Sequence, residues 1–68
     1  MDQETFNLGI RKFLKMVGVN SQREIEQAVF KALESGALKG DENLAARVVL
    51  EIPELGLKVP FEGEIKLK

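Results

Sequence analysis

Sixty-eight residues leave room for one small domain, and a chain of that size buries only roughly 60% of the surface its unfolded form exposes. At 44% hydrophobic and 31% charged residues, the composition is that of a soluble globular chain rather than a disordered or membrane one. Ten Lys and Arg against eleven Asp and Glu give a net charge of −1, which excludes affinity resting on bulk electrostatics. Cys, His, Trp and Tyr are all absent, so disulfides and thiolate or imidazole metal sites are excluded. Charge appears at once in Asp2 and Glu4. No apolar run reaches the length of a signal-peptide core or a spanning helix, so the expected location is the cytoplasm, with no membrane partner.

In the first segment, Phe6, Ile10, Phe13, Leu14 and Val17 fall at i, i+4, i+7, i+8 and i+11. This spacing predicts an amphipathic helix over about residues 3–17. Asp2 and Glu4 near its start, and Arg11, Lys12 and Lys15 toward its end, suit the helix dipole. Gly18 stands where a left-handed residue would stop the helix, with Val19 folding back on the last turn. Ser21-Gln22-Arg23-Glu24 has the form of a capping box, so a second helix is expected over about residues 22–35. Its face is Ile25, Ala28, Val29, Ala32 and Leu33, and Gly36 ends it. The short link between the two helices predicts an αα-hairpin or a helix-turn-helix corner.

From Leu44 the apolar period becomes two. Leu44, Ala46, Val48, Leu50 and Ile52 share one parity, and Leu57, Val59, Phe61, Gly63, Ile65 and Leu67 share the next. Two strands are expected, over about residues 44–52 and 57–67, joined through Pro53-Glu54-Leu55-Gly56. If Ile52 faces Leu57, paired residue numbers sum to 109. The outer face supports this register independently, because it sets Glu51 across from Lys58 and Arg47 across from Glu62. Pro60 then selects the loop. Having no N–H, it is excluded from a pair that exchanges two backbone hydrogen bonds. Its partner Val49 must therefore belong to a non-bonded pair, which holds only if Ile52 and Leu57 close a four-residue loop. The expected fold is α+β in the order α-α-β-β, two N-terminal amphipathic helices packed on a C-terminal antiparallel β-hairpin, as a single domain.

The chemistry on offer is sparse. Ser21, Ser35, Thr5, carboxylates and lysines have no imidazole or thiol to activate or assist them, so no enzyme activity and no catalytic residue is expected. Asp41 with Glu42, and Glu62 with Glu64, read as solvated carboxylates. No oxygen-ligand spacing for a metal and no phosphate-binding loop is present, and no cofactor is expected. Two helices followed by a hairpin suggest a helix-turn-helix with a wing, in which Arg11, Lys12, Lys15 and Arg23 would contact nucleic acid. The would-be recognition helix carries Glu24 and Glu26, however, and the hairpin's outer face is of mixed charge, which sets this reading second. The leading expectation is contact with a protein partner or a second copy. Leu8, Phe30 and Leu55 are left unused by the expected core, and the hairpin has two uncovered edges.

Thr5-Phe6-Asn7, Ile10-Arg11-Lys12-Phe13-Leu14-Lys15, Val17-Gly18-Val19 and Ser21-Gln22-Arg23-Glu24-Ile25-Glu26 together resemble a family of short proteobacterial proteins known only as a domain of unknown function. Leu38-Lys39-Gly40 after Gly36, and the closing Gly63-Glu64-Ile65, extend the likeness over nearly the whole chain. The resemblance implies a bacterial, cytoplasmic protein and brings no activity, cofactor or binding residue with it.

Overall fold

A computed structural model describes all residues from Met1 to Lys68. The elements run α1 (Gln3–Ser35), β1 (Asn43–Ile52), a short 3-10 turn (Pro53–Leu55) and β2 (Leu57–Lys66). They form two compact units, Met1–Ala37 and Leu38–Lys68.

The N-terminal unit corrects the two expected helices. A single helix of 33 residues runs through the expected corner. A left-handed stop would put Gly18 at positive φ, whereas only Gly36, Gly40 and Gly56 adopt positive φ. Ser21 lies mid-helix, so its capping box caps nothing, and Val19 does not fold back. The physical reason is a balance of backbone terms. Breaking the helix would orphan up to four N–H and four C=O groups on the two sides of the corner. Carrying it through costs about 1 kcal/mol for Gly18 and a few tenths each for Asn20 and Ser21. No proline lies between residues 3 and 35 to force the break. Val17, Ser21, Ile25, Ala28 and Ala32 also keep helical spacing across the junction, so one face continues.

The true ends of α1 are well made. Asp2, in extended conformation, is the N-cap, its Oδ1 accepting from the backbone N–H of Glu4 at 2.9 Å and of Thr5 at 3.3 Å. Gly36 ends the helix as expected, with φ 82° and its N–H donated to the Leu33 carbonyl at 3.3 Å.

In the C-terminal unit the two strands pair antiparallel in the expected register, with Ile52 opposite Leu57, Val48 opposite Phe61, Arg47 opposite Glu62, Glu51 opposite Lys58 and Val49 opposite Pro60. The loop is the four-residue one: Gly56, at φ 62°, donates its N–H to the Pro53 carbonyl at 3.0 Å. The far end of the ladder fixes which pairs exchange hydrogen bonds, because the Leu67 N–H reaches the Glu42 carbonyl at 3.0 Å. Bonded and non-bonded pairs alternate. Positions of β1 with the parity of Glu42 are thus the bonded ones, and Val49 opposite Pro60 is a non-bonded pair, where a missing N–H costs nothing.

Glu42 does more than meet solvent. Its carboxylate accepts from the backbone N–H of Lys39 at 2.8 Å and of Gly40 at 3.0 Å, clasping the turn that leads into β1. Donation from the Lys39 N–H holds its carboxyl below the ordinary value of 4.5, with Gly40 as the next cause. The Thr5 backbone N–H does the same for Asp2, ordinarily 3.8, followed by the Thr5 side chain and the Glu4 N–H. Both groups have a folded pKa below the unfolded one. The stability they lend is complete above the unfolded values and is lost as pH falls through the folded ones. In an NMR titration the Glu4 and Thr5 amides should follow Asp2 with a midpoint below 3.8, and the Lys39 and Gly40 amides should follow Glu42 with a midpoint below 4.5. A midpoint at or above those values would show that the caps do not form.

Candidate functional site

No residue of the chain is buried. All four phenylalanines are exposed, Phe6 at 52%, Phe13 at 47%, Phe30 at 63% and Phe61 at 58%. Each unit gathers apolar side chains on one of its own faces, and these faces are the candidate surfaces.

The face of α1 gathers the stripes expected of two separate helices onto one rod. At about 100° per residue, Phe6, Ile10, Phe13, Leu14, Val17, Ser21, Ile25, Ala28 and Ala32 fall within roughly a third of the helix circumference. Asn7, Glu24 and Lys31 lie within the same sector. Phe6, Ile10, Phe13, Leu14 and Ile25 are exposed, while Val17, Ser21 and Ala32 are partly covered by their helical neighbours. The face of the hairpin is formed by the inward parity of both strands, centred on Val48 opposite Phe61, with a dip beside it where Ala46 faces Gly63. A Cβ placed on Gly63 would meet nothing within 4 Å, so the dip is open. On its other face the hairpin presents Arg47, Glu51, Lys58, Glu62, Glu64 and Lys66.

The three residues expected to make protein contacts are all exposed: Leu8 at 51%, Phe30 at 63% and Leu55 at 73%. They do not form one patch. Leu8 and Phe30 lie on the side of α1 away from the Phe6 stripe, about 33 Å apart along the axis at 1.5 Å per residue. Val19 stands midway between them on the same row, and Leu55 tops the hairpin loop. The Phe6 stripe, assigned in the sequence to a covered core, is the larger surface. What concealed it was the assumption of a corner at Gly18. The 3.6-residue period continuing from Val17 through Ser21 to Ile25 was the signal that could have revealed it.

The basic residues Arg11, Lys12, Lys15 and Arg23 come to lie on one helix, on the side opposite the Phe6 stripe, all exposed and interspersed with Leu8, Val19 and Glu26. The helix-turn-helix in which they would have acted has no counterpart, because the helix does not turn. Ser35, one of the few hydroxyls, donates to the Ala32 carbonyl at 3.2 Å and closes the last helical turn. No group of three or more His, Cys, Asp or Glu side chains is placed to hold a metal ion. No helix is long and apolar enough to cross a membrane.

No curated protein and no solved structure matches the chain. The sequence as a whole, residues 1–68, matches a family of unknown function (DUF6494), and the chain belongs to that family.

Proposed function

We propose that this chain is a non-catalytic association module, whose apolar faces are completed by another protein surface. The observation that carries the reading is the contrast between sixteen exposed large apolar side chains and no buried residue at all. Among them the row of Phe6, Ile10, Phe13, Leu14 and Ile25 shares one side of α1, and an exposed apolar row marks an interaction site. Stability points the same way. Most helix stability in proteins comes from covering an apolar face, and a two-stranded hairpin is marginal on its own. Both units thus gain from being covered, and neither presents an activated nucleophile or an acid–base pair.

The test is hydrogen exchange and hydrophobic-dye binding on the purified chain at low concentration. Fast amide exchange in both units together with dye binding is expected. A monomer with slowly exchanging amides in both units and no dye binding would overturn the reading, since its faces would then need no other molecule.

A further inference from the structure

We infer that the occupant of the α1 stripe is a second copy of this chain, with the two α1 helices antiparallel and residues whose numbers sum to 38 brought opposite one another. The inference deepens the association reading and rests on it.

It starts from the palindromic spacing of the stripe. Phe6, Ile10, Phe13, Val17, Ser21, Ile25, Ala28 and Ala32 are separated by four, three, four, four, four, three and four residues. That order reads the same in both directions, so a reversed copy meets it in register. In an antiparallel pair, residues slightly to one side of the contact line share a layer with partner residues slightly to the other side, at the same height. Phe6 with Ala32, Ile10 with Ala28, Phe13 with Ile25 and Val17 with Ser21 satisfy both conditions. Each pair sums to 38, and its members lie at equal and opposite angles from the stripe's centre at about 100° per residue.

Side-chain volume selects the same arrangement. The N-terminal half of the stripe is bulky, with Phe6, Ile10, Phe13 and Val17, whereas the C-terminal half is slight, with Ser21, Ala28 and Ala32 around Ile25. Reversal sets a larger residue against a smaller one in every layer, which lets facing positions interdigitate at an even helix separation. A parallel pair would set Phe6 on Phe6 at one end and Ala32 on Ala32 at the other, wedging the first apart and leaving the second loose. Two further layers carry polar side chains, Asn7 opposite Lys31 at the margins of the stripe and Leu14 opposite Glu24. In the second, the Glu methylenes can cover the Leu while the carboxylate stays in water. The mean spacing of about 3.7 residues is close to the 11-residue repeat, which gives nearly straight or slightly right-handed packing rather than a left-handed supercoil.

The area sets the strength of the pair. From Phe6 to Ala32 the stripe is about 39 Å long at 1.5 Å per residue. Covering a third of the helix girth over that length buries on the order of 500 Å² per helix, or about 1,000 Å² per pair, the minimum for a biological interface and below the roughly 1,200 Å² of stable ones, so the dimer is a weak one that forms as concentration rises.

The chain has no cysteine, so introduced thiols report positions without ambiguity. Ile10→Cys and Ala28→Cys, singly and mixed, would be treated with a short thiol–thiol cross-linker, and sedimentation of the unmodified chain would be followed with concentration. The inference expects a concentration-dependent dimer, covalent product in the mixture, and none from either variant alone, because like positions would stand about 27 Å apart along the axis. Phe6→Cys mixed with Ala32→Cys should repeat the result if the first pair perturbs the stripe. Product from Ala28→Cys alone indicates parallel helices and overturns the inference. A dimer that cross-links in no combination does so too, and assigns the contact to another surface. A monomer that binds hydrophobic dye overturns the second copy while leaving the association reading intact. A monomer with protected amides and no dye binding overturns both.

Discussion

Replacing Gly18 by Ala is expected to stabilise the chain by about 1 kcal/mol, the ordinary difference between Gly and Ala inside a helix. The sign of the change is diagnostic. At a left-handed helix stop the same substitution would force a Cβ into the αL region and destabilise by roughly 1–2 kcal/mol. Gly18 lies inside α1 with no positive φ, and a Cβ there meets nothing within 4 Å. Gly9 has the same surroundings and serves as the reference, because no corner was expected near it. Urea unfolding followed by the helical circular dichroism signal should give gains of similar size for Gly9→Ala and Gly18→Ala. Loss of stability for Gly18→Ala alone would restore the corner and the two-helix reading with it.

Legibility differed sharply between the two halves of the fold. In the hairpin every constraint was local and mutually checking. The parity of apolar residues and the opposite charges at Arg47, Glu51, Lys58 and Glu62 agree on one register, the absent N–H of Pro60 selects the four-residue loop within it, and the structure has both. In the helix the local signals conflicted with the long-range one. Gly18-Val19-Asn20 followed by Ser21-Gln22-Arg23-Glu24 has the chemistry of a stop and a start. That chemistry is worth only tenths to about 1 kcal/mol per residue, too little to outweigh a continuous backbone ladder and an unbroken apolar period. Glu42 was misread for a related reason. A carboxylate two or three residues beyond its backbone donors gives no signal in composition, and its role appears only once Gly40 takes its φ of 108° and the Lys39 and Gly40 amides turn toward it. The candidate surface followed the helix. With a corner, Phe6 and Ala32 belong to different elements, and only their union on one rod exposes the palindrome.

The correction also changes which residues carry functional weight. Leu8, Phe30 and Leu55 have no place in the expected core, yet they are scattered, Leu8 and Phe30 far apart along α1 and Leu55 on the hairpin loop. Scattered apolar residues are normal on protein surfaces, whereas a contiguous row is informative. The row on α1 runs from Phe6 to Ala32. The basic residues Arg11, Lys12, Lys15 and Arg23 lie outside that row, so the proposed contact does not use them.

Moving proline by one position along β2 should separate the two classes of ladder pair. Val59 faces Leu50, a position with the parity of Glu42, so its N–H is donated across the ladder by the alternation rule. Val59→Pro deletes that donor and leaves the Leu50 carbonyl without its strand partner, a loss of about 1 kcal/mol for the hydrogen bond, before any steric conflict from the ring. A two-stranded sheet has little stability in reserve, so the expected result is loss of the ladder. The readout is disappearance of cross-strand contacts between Val48 and Phe61 in NMR spectra and free exchange of the strand amides. Val49→Pro is the matched control. Val49 faces Pro60 in a non-bonded pair, its N–H points away from β2, and the ladder should survive with only a local adjustment of φ. Equal damage from the two substitutions would mean that Val49 does donate across the ladder, which would place Pro60 in a bonded pair and overturn the register argument at its sharpest point.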